Sequence, residues 1–133
     1  TFEKQINSSL MLKTFLFIFL GGGMGSVFRY GTSLLTQKYV QSSFPWATFL
    51  VNIIGCLLIG AFIGLIERWN WTNHDIRFLL IAGFCGGFTT FSAFGIESLT
   101  LFQNNQYLLG ITYILSSIIL GIAAVWLGLF LTK

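Results

Sequence analysis

Single polar residues set inside long apolar runs are where this sequence concentrates its chemistry. Arg29 stands at four-residue spacing from Gly21 and Gly25, on one helical face. A charge at membrane depth is costly unless it has a partner or a task. Arg29 therefore reads as an anion-attracting or structural charge at a pore vestibule, or as a side chain that snorkels or binds helix-end carbonyls. Asn52 offers an NH2 group that donates to an anion or bridges two helices. Behind it, Cys56, Gly60 and Gly64 form a small-residue stripe suited to close helix approach.

The densest signal is the run Gly83-Phe84-Cys85-Gly86-Gly87-Phe88-Thr89-Thr90-Phe91-Ser92-Ala93-Phe94. Two glycines followed by two threonines in an apolar stretch predict a helix interrupted in mid-membrane. Freed backbone groups there must be buried in protein or line a water-filled cavity, and such carbonyls commonly coordinate a cation such as Na+. The alternative is an intact helix in which Gly83 and Gly87 mark a packing face. Phe91 and Phe94 lie three apart; by composition they are lipid or core contacts, although a ring edge carries positive potential that an anion can use. Glu97, one turn beyond Phe94, is the only carboxylate inside an apolar run. Further on, Tyr113, Ser117, Gly121, Ala124 and Gly128 share one stripe, and the hydroxyls of Tyr113, Ser116 and Ser117 form a potential polar track. Hydroxyls in membrane helices also bond their own backbone.

Other chemistry is missing from the sequence. The one His, His74, sits in a charged stretch, and no carboxylate pair occurs. Cys56 and Cys85 have neither metal-ligand spacing nor a disulfide framework. The Gly21-Gly22-Gly23-Met24-Gly25 run lacks the strand and the Gly-Lys-Ser/Thr ending of a phosphate loop. No catalytic constellation is present, so the reading is of a non-enzyme.

The elements that position these residues are fixed by composition. Of 133 residues, 55% are hydrophobic and 8% charged, with a mean hydropathy of +0.82. Soluble domains carry roughly 25% charged residues, so this is an all-α integral membrane protein. The net charge of +3 comes from too few charges for a nucleic-acid-binding stripe. About 20 apolar residues span a bilayer core, and four windows qualify: 12–35, 46–66, 76–102 and 107–131. They form one transmembrane domain over residues 1–133, in which residues 1–10 read as a polar leader, either dispensable or non-native. The short loops make neighbours antiparallel and put both termini on one side. Lys4, Lys13, Arg68, Arg77 and Lys133 flank that side against Lys38 on the other, which favours cytoplasmic termini.

Three blocks together resemble the Fluc/CrcB family of small fluoride channels. They are Gly21–Ser26 with Arg29-Tyr30, then Thr48 with Val51-Asn52 and Gly55, then Gly83–Phe94 with Glu97. The third block is the most specific, and blocks and spans together cover nearly the whole chain. The resemblance implies an antiparallel, dual-topology dimer with two narrow fluoride pathways, multi-pass in a prokaryotic plasma membrane. It implies passive export of cytoplasmic fluoride along Asn52, Phe91, Phe94, Thr90, Ser92, Tyr113 and Ser117. Arg29 and Glu97 become vestibule or structural charges, and the backbone carbonyls of Gly86 and Thr89, from both subunits, become ligands of a structural Na+. Two departures stand out: Ala93 replaces a common Thr, and the Lys/Arg asymmetry is large for equal insertion both ways. A homodimer is expected, with a heterodimer of oppositely oriented paralogues as the variant. The competing readings are a proton-coupled small multidrug exporter, which would need a first-span carboxylate where Arg29 stands, and a non-transporting assembly subunit.

Overall fold

The computed structural model describes residues 2–71 and 73–133, with side chains from residue 8 onward. Five helical pieces make four spans: α1 (Phe2–Tyr39), α2 (Trp46–Arg68), α3 (residues 74–88), α4 (Phe91–Gln103) and α5 (Tyr107–Thr132). All four spans, with α3 and α4 together forming the third, are long and apolar enough to cross a membrane. At 1.5 Å per residue the 38-residue α1 is about 57 Å long, well beyond a hydrocarbon core of about 30 Å. It therefore continues through the polar leader expected at residues 1–10. The side chain of Lys4 lies outside the described residues.

Loop chemistry explains the helix ends. Pro45 precedes α2, where its missing N–H costs nothing. Both α2 and α4 stop at an asparagine in the left-handed region, Asn70 with φ 47° and Asn105 with φ 59°. Asparagine tolerates that conformation better than other side-chain-bearing residues. In each case the next residue donates back across the last turn, Trp71 N to Ile66 O at 3.0 Å and Gln106 N to Leu101 O at 2.9 Å. Ion pairs join Lys13 to Asp75 and Lys133 to Glu67. They place both ends of the chain and the α2–α3 loop on one side, as the span count requires.

Packing is by backbone rather than by bulky side chains, the usual solution where lipid removes the hydrophobic drive between helices. The span pairs α2–α5 and α1–α3 are the most extensive. A Cβ on Gly60 would strike Val125 O, and one on Gly128 would strike Leu57 O. Between α1 and α3 the glycines meet each other: a Cβ on Gly83 would lie 2.9 Å from Gly21 Cα, and one on Gly87 would strike Gly22 O. The predicted stripes at Cys56-Gly60-Gly64 and Gly121-Ala124-Gly128 are thus packing faces. Most of α3 is wound wide, as a π-helix over Phe78–Cys85.

The third span is broken, and the position of the break corrects the literal reading of its glycines. Gly86 and Gly87 remain helical, ending at Phe88. The chain then extends at Thr89 (φ −79°, ψ 159°) and Thr90 (φ −150°, ψ 120°) before α4 begins at Phe91. Gly83 and Gly87 serve as a packing face, but the helix is not intact: the two threonines make the interruption.

Candidate functional site

A break in mid-span exposes backbone groups, and the surrounding side chains show how they are met. In a continuous helix Thr90 N–H would bond Gly86 O; here it donates to Asn52 Oδ1 at 2.8 Å. Asn52 Nδ2 in turn donates to Thr90 O at 3.0 Å. One amide from α2 therefore serves both backbone groups of a single extended residue. This is the helix-bridging role open to Asn52, and one of its two N–H groups remains for another acceptor.

The carbonyls ending α3 receive donors from α1. Ser26 Oγ donates to Gly87 O at 3.4 Å and Arg29 Nη1 donates to Thr89 O at 3.3 Å. The Arg29 guanidinium thus binds a helix-end carbonyl, where the negative end of α3 favours a cation. Thr89 bonds back to Cys85 O through both its N–H (3.0 Å) and its hydroxyl (2.9 Å). Thr90 caps α4, its hydroxyl accepting from Ala93 N at 3.3 Å and lying 3.2 Å from Ser92 Oγ.

A second polar cluster lies one to two turns along α4. Glu97 accepts from Thr48 Oγ1 at 2.7 Å on one oxygen and from Tyr113 Oη at 2.8 Å on the other. Helices α2, α4 and α5 are tied together at this carboxylate, which is how a charge is tolerated there. Tyr113 is fully buried, its ring 5.2 Å from Phe94 and 5.4 Å from Phe44. Phe94 lies 5.6 Å from Phe91, which is 83% exposed and points away from the chain's own core. One turn beyond Tyr113, the hydroxyl of Ser117 is buried without a hydrogen-bond partner. Ser116 bonds its own helix, at Tyr113 O.

Two cavities flank the break. One of about 320 Å³ touches Asn52, Cys85, Gly86, Thr89, Thr90 and Phe91. The other, about 390 Å³, runs between Arg29, Ser33, Thr48, Thr90, Ser92 and Glu97. The residues singled out by sequence thus assemble into two joined groups. Arg29, Asn52, Thr89, Thr90 and Ser92 gather at the break, while Phe94, Glu97 and Tyr113 gather beyond it. Ser117 stands apart, linked to neither by a hydrogen bond.

Sequence reasoning gave Thr48 and Ser26 no task, although both hold the site. Thr48 lies one turn before Asn52 and Ser26 three residues before Arg29, so helical spacing from the two conspicuous residues would have found them. Phe44 had no such signal, because it comes from a loop.

The arrangement offers neutral donors, freed carbonyls and the Phe91 ring around small cavities, with one fixed cation and one fixed carboxylate. It suits binding and passing a small ion and supplies no catalytic group. The family described as CrcB-like protein, Camphor Resistance (CrcB), matches residues 16–129. Among curated relatives, a protein of Flavobacterium psychrophilum is 52% identical over 92% of this chain and 98% of its own length. One of Phocaeicola vulgatus is 48% identical over 92% of this chain and 100% of its own. A third, from Methylobacillus flagellatus, is 44% identical over 89% and 93%. Each of the three is named a fluoride-specific ion channel FluC.

Proposed function

Since the chain belongs to the CrcB-like family and is a multi-pass membrane protein rather than an enzyme, we propose that it is a fluoride-selective channel. It lets cytoplasmic fluoride leave passively, as a dual-topology dimer. The observation that carries this reading is the broken third span, whose exposed backbone is met by Asn52, Ser26 and Arg29 next to two cavities. Sequence relatives named for fluoride give the ion.

Fluoride is small and tightly hydrated, so a pore must replace its water with closely spaced donors. The spare N–H of Asn52, the hydroxyls of Thr90, Ser92 and Ser117, and the ring edges of Phe91 and Phe94 supply such contacts. Tyr113 joins them by turning its hydroxyl from Glu97 toward the ion. Chloride is larger and loses less by staying in water, so narrow spacing favours fluoride. Conduction needs sites strong enough to enter and weak enough to leave, which neutral donors provide better than full charges. Arg29 sets a positive potential at one cavity without facing the ion alone.

A structural Na+ fits the break. Thr90 N–H is diverted to Asn52, which leaves Gly86 O without its helical donor. Thr89 O has one weak donor in Arg29 and a second lone pair free. These two carbonyls from each subunit would hold the ion, whose role is to neutralise the exposed backbone at the dimer centre. Phe91, 83% exposed beside the break, fits the partner-facing position this requires.

The test is reconstitution in liposomes with a fluoride electrode under an imposed K+ potential. Fluoride release with negligible chloride release is expected. Equal release of both halides, or none from well-folded protein, refutes the channel. Drug-driven proton uptake would instead favour the small multidrug exporter, and no transport of any kind the assembly subunit. Replacing Na+ by a large organic cation during purification should weaken the dimer; full dimer and flux without Na+ remove the cation site. A chain that forms no dimer alone but does so with an oppositely oriented paralogue would replace the homodimer by a heterodimer.

A further inference from the structure

Beyond the two cavities at the break, a third of about 380 Å³ opens at the end of the molecule opposite the termini. It lies between the α1–α2 loop, through Ser42 and Ser43, and the end of α4, through Thr100, Asn104 and Gln106. It also touches Glu97, which lines the cavity holding Arg29 as well. That second cavity in turn shares Thr90 with the cavity at the break. Three cavities therefore follow one another from the N-cap of α4 to its end, neighbours sharing Thr90 and Glu97 as lining residues. The residues marking this line recur at helical spacing: Ala93, Glu97, Thr100 and Asn104 follow a 4-3-4 pattern on one face of α4. Outside that face, Gln103 and Leu99 touch none of the three.

We propose that the ion pathway, taking the channel function above as given, ends in a rim formed by Thr100 and Asn104, facing Ser42 and Ser43. Apart from Glu97 its polar residues are uncharged, and Asn104 and Gln106 bring amide donors of the kind an anion needs, with Phe44, Pro45, Ile96 and Leu101 lining the rest. Thr100 returns its hydroxyl to Ile96 O at 2.8 Å, which fixes its orientation on the helix. Ser42 accepts from Phe44 N at 3.1 Å, holding the facing loop in place. Glu97 separates the rim from the inner cavity with both oxygens covered by hydroxyls, so its charge is spread over Thr48 and Tyr113 rather than presented bare.

The test places single cysteines at Thr100, Asn104 and, as control, Gln103, in the full-length channel reconstituted in liposomes. Each is treated with an anionic or a cationic methanethiosulfonate reagent of similar size, and adduct formation is followed by mass. Each variant's own flux before treatment is its reference, and the flux of the parent protein in the same liposomes separates a failed rim from a failed channel. Parent protein treated alike controls for Cys56 and Cys85. The anionic adduct on T100C or N104C should slow fluoride about five-fold more than the cationic one at low salt, as unit charges a few ångström from an ion near water do. The Gln103→Cys adducts should leave flux within two-fold of the untreated protein. Complete modification at Thr100 and Asn104 without charge-dependent loss, or the same loss at Gln103, overturns the proposal.

Discussion

Asn52 gives the sharpest test of how the broken span is held. Its amide makes two bonds to the backbone of Thr90, at 3.0 Å and 2.8 Å, in the middle of an apolar bundle. Removing both leaves a donor and an acceptor without partners, each costing about 1–3 kcal/mol. The variants Asn52→Ala and Asn52→Leu should therefore lose about 2–6 kcal/mol of stability, the leucine separating lost bonding from lost bulk. Thr90 N–H can instead return to Gly86 O and heal the helix. A shift of even 2 kcal/mol toward that healed form cuts the ratio of broken to healed protein about thirty-fold. Fluoride flux per reconstituted protein and chemical unfolding in detergent read the two effects side by side. Both variants should lose flux at least thirty-fold and both should unfold earlier. Lost flux with stability unchanged to within 0.5 kcal/mol, and with amide exchange at Thr90 as in the parent, would make Asn52 purely an ion ligand and refute the backbone-holding role.

Three further outcomes follow from particular contacts. Phe94→Ile should slow fluoride about ten-fold or more while the assembly survives, because a branched alkyl group has no positive edge to offer; unchanged electrode traces would remove the ring from the pathway. Ser117→Ala should cost no stability, since the lost hydroxyl is buried without a partner and relieving such a group gains about 1–3 kcal/mol. It should still reduce flux, and unaltered flux would take Ser117 out of the track. Gly128→Ala should destabilise by about 1–3 kcal/mol by forcing α5 off Leu57 O; an unmoved thermal midpoint would show that the α2–α5 contact yields freely.

Much of the fold was legible because lipid imposes few options: apolar runs of the right length become helices, and polar punctuation ends them. The span limits near 46 and 107 fell on the helix starts themselves, Trp46 and Tyr107. The break was legible in type and displaced by about two residues, because glycine signals both close packing and interruption. At Gly83 and Gly87 packing against α1 won, and only the extended backbone of Thr89 and Thr90 shows where the helix stops. Site residues of unusual type, Arg29, Asn52 and Glu97, stood out as lone polar groups. Their partners did not. Thr48, Ser26 and Phe44 are ordinary residues whose roles come from which helix lies opposite, and the α2–α5 and α1–α3 pairings are not written in any single stretch.

The two charges deep within the spans, Arg29 and Glu97, line one cavity of about 390 Å³ and yet bind neutral groups, a carbonyl in one case and two hydroxyls in the other. Joined directly they would form a buried ion pair, cancel each other's field and close the space between them. Such a pair also brings little net stability, because desolvation offsets the attraction. Held apart, they leave the space open and its potential graded, positive near the break and negative toward Glu97. If the chain conducts as proposed, an anion entering from the break would meet Arg29 first and would not settle deeply, since the opposing charge raises its energy a few ångström on. Neither charge would then bind the ion tightly, as rapid passage requires. The remaining charges support this economy: Asp75 and Glu67 pair with Lys13 and Lys133 at the terminal end, outside the bundle. With so few charges in the chain, the field inside the spans is set by Arg29 and Glu97, and changing the sign of either should alter conduction more than any surface substitution.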